Sequence, residues 1–283
     1  MLDTGNNFRK IIRGITTIAV GALLIVACLS KTYNTISIIG LCTSFFMLCL
    51  IGLFFRSTAV QRLRPLILLV SLVCFGFILN GCSCILFHFQ GFILFLFGKT
   101  YFWVSFTVVA IILVLTVVFG AIWCGWICML GALQEFIFKQ NKWFFLKTRK
   151  ARKIVFTIQM ILFALFVMWI SVVKYPVLCS YDPFISIFRL KIFNWLGYIT
   201  VPLLLVSSLF IYRPFCRIIC PIGFLISLLN NFSFTSKLKI YECTNCKKCH
   251  THCRINAIQE KKINNGCIMC GECKKANCKS LIL

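Results

Sequence analysis

The last 47 residues hold eight of the chain's 19 cysteines, in two runs whose spacing suits iron–sulfur ligands. The first run reads C-x2-C-x2-C-x3-C and the second reads C-x2-C-x2-C-x4-C. The eight are Cys243, Cys246, Cys249 and Cys253, followed by Cys267, Cys270, Cys273 and Cys278. The first spacing is that of bacterial ferredoxin runs around a [4Fe–4S] cluster, because closely spaced thiolates can turn inward on one cube. Structural zinc, whose ligands usually form separated C-x2-C pairs, is the alternative.

Residues 237–283 also lack the apolar content for a core, and a segment this small needs a staple such as bound metal. The segment resembles two-cluster ferredoxins, in which the fourth cysteine of each run ligates the other cluster. That resemblance implies the following ligands: Cys243, Cys246, Cys249 and Cys278 for cluster 1, and Cys267, Cys270, Cys273 and Cys253 for cluster 2. The chain departs from the pattern at Arg254 and Lys279, where ferredoxins have proline, and by one extra residue before Cys278.

A second cysteine pattern occurs twice, as "WCGWICMLGALQEF" from residue 123 and "FCRIICPIGFLISL" from residue 215. Each copy has two cysteines four apart and a glycine three residues later. The copies supply Cys124, Cys128 and Gly131, and 92 residues on, Cys216, Cys220 and Gly223. If the motifs are helical, both cysteines of a copy share one face. Four such thiolates suit an iron–sulfur, Cu(I) or zinc site. The alternative is that they are buried packing residues, but the exact repeat favours a redox or metal role.

The elements that position these cysteines are apolar. The chain has 283 residues, of which 60% are hydrophobic, well above the content of soluble domains. Six apolar runs are long enough to cross a bilayer, which takes about 20 residues or slightly fewer. They lie near residues 14–30, 35–55, 66–86, 102–122, 154–173 and 195–212. The C-x3-C motifs therefore follow the fourth and sixth predicted spans.

The basic residues predict the orientation of these spans. Of 30 Lys and Arg, 25 fall on one side of the spans and five on the other. The five are Lys31, Lys99, Lys174, Arg189 and Lys191. The positive-inside rule places both termini, and the cysteine-rich tail, in the cytoplasm, where disulfides are disfavoured. Since the charge follows topology, we do not expect nucleic-acid binding. Cleavage of the first span as a signal peptide, with a lipoprotein-like box at Cys28, is the alternative for the N-terminus.

The predicted fold class is an all-α polytopic membrane protein with about six transmembrane helices and a small C-terminal bacterial-type 2[4Fe–4S] ferredoxin-like domain. Residues 1–100 form an N-terminal transmembrane region of three spans. Residues 101–236 form a core transmembrane region of three spans that carries both C-x3-C motifs. Residues 237–283 form the cytoplasmic ferredoxin-like domain. The expected location is the cytoplasmic (inner) membrane.

Three stretches give the chain a family resemblance from about residue 102 onward: "RPFCRIICPIG" (213–223), "WCGWICMLGALQE" (123–135) and "DPF" (182–184). Together with the tail, they resemble the NapH/NosR/CcoG group of membrane polyferredoxins. Met129 replaces the proline that the group has in the first motif. The resemblance implies electron transfer between a cytoplasmic donor, the clusters and a quinone or extracytoplasmic redox partner, without bond-making catalysis. The CcoG branch implies the alternative, a copper-reducing assembly factor for a respiratory metalloenzyme.

Other residues bear on the partners. Four lysines next to the tail cysteines are candidates for a docking face toward an acidic ferredoxin or flavodoxin, or are simply a solvated surface. They are Lys247, Lys248, Lys274 and Lys275. On the outer side, Cys82, Cys84 and Cys179 form a relay dithiol, a structural disulfide or inert thiols. Haem b is not expected, because His88, close to the outer end of the third predicted span, is the only histidine near the predicted spans.

Overall fold

The structure is a computed structural model that describes residues 43, 46–47, 50–51, 58–78, 84–99, 103–139, 149–175, 183–189, 195–233, 253–255, 257–259, 262–264 and 266–273. Several predictions concern residues outside this set. They are the first span, nearly all of the second, Cys28, Cys82 and Cys179, the lysines Lys247, Lys248, Lys274 and Lys275, and the ligands Cys243, Cys246, Cys249 and Cys278.

The described chain is mostly helical. Its helices are α1 (Thr58–Ser71), α2 (Ile85–Leu96), α3 (Trp103–Phe119), α4 (Met129–Ile137), α5 (Arg149–Val173), α6 (Pro183–Phe188), α7 (Trp195–Phe210), α8 (Pro214–Ile218) and α9 (Pro221–Asn230). Two π-helical stretches, Leu72–Ile78 and Trp123–Ile127, continue α1 and precede α4. In the tail, β1 (Ile258–Gln259) and β2 (Lys262–Ile263) form an antiparallel pair in which Ile258 lies opposite Ile263.

Two helical stretches of the described chain, Val60–Ile78 and Lys150–Val173, are long and apolar enough to cross a membrane. The second lies almost entirely at the surface of the bundle, since only 11% of it is buried. Its exposed side chains include Ile158, Ile161, Leu165, Trp169 and Val172. A continuous apolar face of this kind marks a surface that water does not cover. These helices indicate a membrane location, whereas the full set of six spans stays a prediction.

The third predicted span, 66–86, differs from the structure at both ends. The helix begins at Thr58 and its π-helical extension ends at Ile78, and a separate helix, α2, begins at Ile85. Hydropathy placed the start after Arg62 and Arg64, because charged side chains rarely enter a span. In the fold Arg64 is paired with Glu135, 2.8 Å away, so the helix can include it.

Two segments are expected on the outer side because they carry Lys99, Lys174 and Arg189, and both contain helices that pack into the bundle. In the first segment, 83–99, α2 runs along α3 and stacks Phe89 on Phe166 of α5, with ring centroids 6.0 Å apart. In the second, 174–191, α6 carries Phe184, which is fully buried against Phe215 of the second C-x3-C motif at 4.8 Å. The "DPF" stretch that contributes to the family resemblance therefore packs directly against the second motif.

Candidate functional site

Each C-x3-C motif folds as a helix, a break and a second helix. The first cysteine lies in a short helix, Trp123–Ile127 for Cys124 and α8 for Cys216. The second cysteine is the N-cap of the next helix, with φ and ψ of −61° and 111° at Cys128 and −62° and 115° at Cys220. The two cysteines of a copy therefore do not lie on one continuous helix. The matching angles also show that Met129 at the first helical position reproduces the backbone that Pro221 gives the other copy.

The two glycines have the close-packing role that their register predicts. A Cβ atom on Gly131 would lie 3.2 Å from the carbonyl oxygen of Cys124, and one on Gly223 would lie 2.8 Å from that of Cys216. In each copy, the glycine lets the second helix pack against the backbone of the first cysteine. The duplication is thus a structural repeat as well as a repeat of sequence.

Hydrogen-bond donors surround the sulfur atoms. The backbone N–H of Gly223 donates to Cys220 Sγ at 3.4 Å, and in the other copy that of Gly131 donates to the Cys128 sulfur. Gln134, which is fully buried, donates from Nε2 to Cys216 Sγ at 3.4 Å. Both capping cysteines also lie at the positive end of a helix dipole. Such an environment stabilises thiolates, the form of cysteine that binds metal.

The four motif thiols are electrostatic neighbours of one another. Burial raises the pKa of Cys216 to about 12, with a further contribution from Cys128, while Arg213 opposes the shift. Burial likewise raises the pKa of Cys220, and the other three thiols add to the effect. Burial therefore favours the thiol form, and a bound metal centre would favour the thiolate form, which is the form that ligates metal.

The separation of the four sulfurs, predicted at roughly 4–7 Å for a metal or cluster site, stays a prediction. Within the part of the chain that the structure describes, no three Cys, His, Asp or Glu side chains are close enough together to hold one metal ion. A single-ion site of zinc or copper type is therefore not formed by the described residues as they stand.

Beside the cysteines lies a buried ion cluster built on Glu135, which sequence reasoning missed. Arg64 Nη1 lies 2.8 Å from Glu135 Oε1, and Arg213 Nη2 lies 2.5 Å from Oε2. Tyr212 donates its hydroxyl to Oε2 at 2.8 Å, and Arg254 of the tail approaches Oε1 at 3.8 Å. The signal in the sequence was that Glu135 is the only acidic residue between Asp3 and Asp182.

Glu135 is held ionised by its partners. Burial alone would raise its pKa, but attraction to Arg213 and hydrogen bonding and attraction to Arg64 more than offset this, so the pKa falls to about 2. Arg213 also donates from Nη1 to the carbonyl oxygen of Cys124. A residue of the second motif therefore braces the backbone of the first, and the ion cluster joins both copies to α1.

In the tail, the thiols that were predicted to hold cluster 2 are electrostatic neighbours. Burial raises the pKa of Cys267, and its neighbours Cys270, Cys253 and Cys273 contribute to the shift. The backbone N–H of Ala257 donates to Cys253 Sγ at 3.2 Å. Neighbouring cysteines and an N–H donor to a sulfur suit the ligand chemistry of a [4Fe–4S] cluster. The ligand assignment itself stays a prediction.

The tail lies against the first C-x3-C motif. Trp126, between the two cysteines of that motif, donates from Nε1 to the carbonyl oxygen of Met269 at 2.9 Å. Asn230, at the end of α9, donates from Nδ2 to the carbonyl oxygen of Cys267 at 3.1 Å. Both acceptors belong to the second tail run, so this run and the motif cysteines occupy one continuous region of the molecule.

Comparison with known proteins points to iron–sulfur chemistry. A 4Fe-4S binding domain family matches residues 101–153 and 193–239, two segments that contain the two C-x3-C motifs. No solved structure matches the chain.

The similar proteins include one that is named as a putative electron transport protein. An uncharacterised protein of Methanocaldococcus jannaschii is 26% identical over 230 residues, covering 78% of this chain and 93% of its own length. The putative electron transport protein YccM of Escherichia coli is 25% identical, covering 56% of this chain and 50% of its own. The regulatory protein NosR of Stutzerimonas stutzeri is 28% identical, covering 54% of this chain and 23% of its own. The protein NirI of Paracoccus denitrificans is 26% identical, covering 54% of this chain and 24% of its own length. The chain thus spans about half of YccM and about a quarter of NirI and NosR.

Proposed function

Because the chain belongs to the NosR/NirI type of 4Fe-4S binding proteins, we propose that it is a membrane-bound iron–sulfur electron-transfer protein. It passes electrons between a cytoplasmic donor and a quinone or an extracytoplasmic redox partner. The observation that carries the proposal is the contact of the second tail run with the first C-x3-C motif, through Trp126 and Met269. Electron transfer needs adjacent centres, and this contact brings two thiol sets together.

The residues on each side of the contact have distinct tasks. Cys253, Cys267, Cys270 and Cys273 hold one cluster in the tail, and Cys243, Cys246, Cys249 and Cys278 hold the other. A bound [4Fe–4S] cluster supplies reversible one-electron transfer, with a potential set by N–H donors to sulfur and by burial. Gln134 and Gly223 supply such donors at the motif cysteines. Arg213 fixes the two motif copies relative to each other through Glu135 and Cys124.

The soluble donor of this scheme is an acidic ferredoxin or flavodoxin, which the basic tail would attract. The charge of the tail supports this choice, since residues 237–283 contain ten basic residues and only three acidic ones. Long-range attraction of this kind raises association rates and weakens with salt.

The second candidate function is a copper-reducing assembly factor, for which the four motif thiols would bind Cu(I). Their common neighbourhood favours a shared metal centre. The metal content of the purified protein distinguishes the two functions.

The proposal predicts the iron content. Anaerobically purified protein should contain about eight iron atoms in its tail as two [4Fe–4S] clusters, with acid-labile sulfide in equal amount. Changing Cys246 or Cys270 to Ala should each remove about four of them, and the tail should lose order without iron because binding supplies its folding energy. Iron and sulfide assays with electron paramagnetic resonance of the reduced protein measure this.

Cys74→Ala is the matched control, since Cys74 lies on the π-helical stretch Leu72–Ile78, outside both thiol sets, and should leave the iron content unchanged. Protein that contains tail-bound zinc and no labile sulfide contradicts the proposal. Stoichiometric copper at the motif cysteines would favour the assembly factor instead.

The multi-pass topology gives a further prediction. We expect both termini in the cytoplasm, with Lys99 and Lys174 on the outer side, because 25 of 30 basic residues fall on the opposite side. Alkaline phosphatase fused after Lys99 or Lys174 should be active, while green fluorescent protein fused after Leu283 should fluoresce. A fusion after Lys139 serves as the matched inner control. Active phosphatase after Leu283 would reverse the orientation.

A further inference from the structure

The two C-x3-C copies differ at the two positions between their cysteines that face the tail. The first copy has Gly125 and Trp126, and the second has Arg217 and Ile218 at the same places. Glycine adds no side chain and tryptophan adds an indole N–H donor, whereas arginine adds bulk and isoleucine has no donor. The two copies therefore differ in how closely a polypeptide loop can approach them, and only the first copy has a surface that permits close approach.

The second tail run occupies that surface. A Cβ atom on Gly125 would lie 2.0 Å from the carbonyl oxygen of Ile268, so even alanine would displace the loop. Trp126 is fully buried under the loop and donates to the carbonyl oxygen of Met269 at 2.9 Å. Arg64 donates to the carbonyl oxygen of Gly125 at 3.2 Å and lies 3.7 Å from Glu272, which extends the contact on one side.

Met269 is adapted to this contact. Its backbone is left-handed, with φ of 53°, which is unfavourable for a residue with a long side chain. The corresponding position of the first run is Asn245, a residue type that tolerates this conformation far better. Met269 is only 5% exposed and belongs to the same hydrophobic cluster as the helices of the bundle. Burial of its side chain and the bond from Trp126 compensate for the strained backbone.

The second copy meets the same tail set differently. Arg217 lies within electrostatic range of Cys253, the fourth thiol of the set. The two copies thus contact different parts of the tail. The first packs against the loop that carries Cys267 and Cys270, and the second places a cation near Cys253.

We propose that residues 267–270 are the docking element of the tail and that Gly125 and Trp126 are its receptor, so that the Cys253, Cys267, Cys270 and Cys273 set is fixed against the bundle at a receptor that only one run can occupy. This inference rests on the proposed function for the presence of two clusters. According to this inference, the difference between the two copies of the motif determines which tail cluster lies next to the motif thiols.

The test measures how fast each cluster loses iron to bathophenanthroline disulfonate, using the full-length reduced protein in detergent. Wild-type protein should release iron in two phases, with about half of the iron released about tenfold more slowly because the docked loop must first open locally. The Cys246→Ala protein should retain only the slow phase, and the Cys270→Ala protein only the fast phase. Gly125→Arg, which copies the second motif, should convert the slow phase to the fast rate.

Two further variants complete the experiment. Trp126→Phe keeps an aromatic ring but removes the indole donor and part of the ring volume, and it should accelerate the slow phase severalfold even if Gly125→Arg does not accumulate. Gly266→Ala is the matched control, because a Cβ atom there meets nothing within 4 Å, and it should behave as wild type. Equal release from both clusters in wild-type protein, or a slow phase that survives both Gly125→Arg and Trp126→Phe, overturns the inference. Protein without two clusters overturns the proposed function instead.

Discussion

Replacing Cys216 or Cys220 with alanine should reduce electron transfer out of the reduced tail to background while both tail clusters remain intact. In the proposed function, the two cysteines share one centre with Cys124 and Cys128, and a set that loses one of four thiolates no longer holds its centre. The measurement is the reoxidation of photoreduced protein in quinone-containing liposomes, followed by visible absorbance. Iron and sulfide assays on the same samples establish that the tail is loaded.

Cys74→Ala is again the matched control, and its protein should reoxidise at the wild-type rate. The corresponding changes at Cys124 and Cys128 should have the same effect as those at Cys216 and Cys220, since the two copies share their N-cap geometry. If all four alanine variants transfer electrons normally, these cysteines are packing residues and the repeat records only a duplication.

The sequence predicted those features that depend on short spacing. The register of Cys128 with Gly131 and of Cys220 with Gly223 is a matter of three residues, and the structure shows the close packing that it implied. The helix bounds of α3, α5 and α7 also follow the apolar runs to within a few residues, because continuous apolarity of that length admits few other structures.

Features that depend on distant residues could not be predicted in this way. Arg64 and Glu135 are 71 residues apart, and Trp126 and Met269 are 143 apart, so no local pattern links them. Phe184 and Phe215 are also distant in sequence, so no local pattern predicted that the helix carrying Phe184 packs against the second motif. The one available signal was that Glu135 is the only acidic residue between Asp3 and Asp182 in a strongly basic chain.

Replacing Glu135 with glutamine should destabilise the folded protein by about 3–5 kcal/mol, the usual result of breaking a buried ion pair from one side. Arg64 and Arg213, whose side chains are 4% and 2% exposed, would then face each other without a counter-charge. The measurement is the fraction of detergent-solubilised protein that stays monodisperse after heating, which should fall at a markedly lower temperature than for wild type. Loss of the brace from Arg213 to Cys124 should also lower iron retention.

Glu272→Gln is the matched control, because Glu272 lies 3.7 Å from Arg64 and is more exposed, at 17%. Because Arg64 keeps its shorter contact with Glu135 in this variant, the variant should melt closer to wild type than Glu135→Gln does. The pH dependence provides a second check. Since the pKa of Glu135 is about 2 in the fold against an ordinary 4.5, its contribution is fully present above about pH 4.5 and is lost only as the pH falls toward 2. The glutamine variant should therefore lack that part of the acid transition. If Glu135→Gln melts no earlier than Glu272→Gln, the buried ion cluster does not hold the two motif copies together.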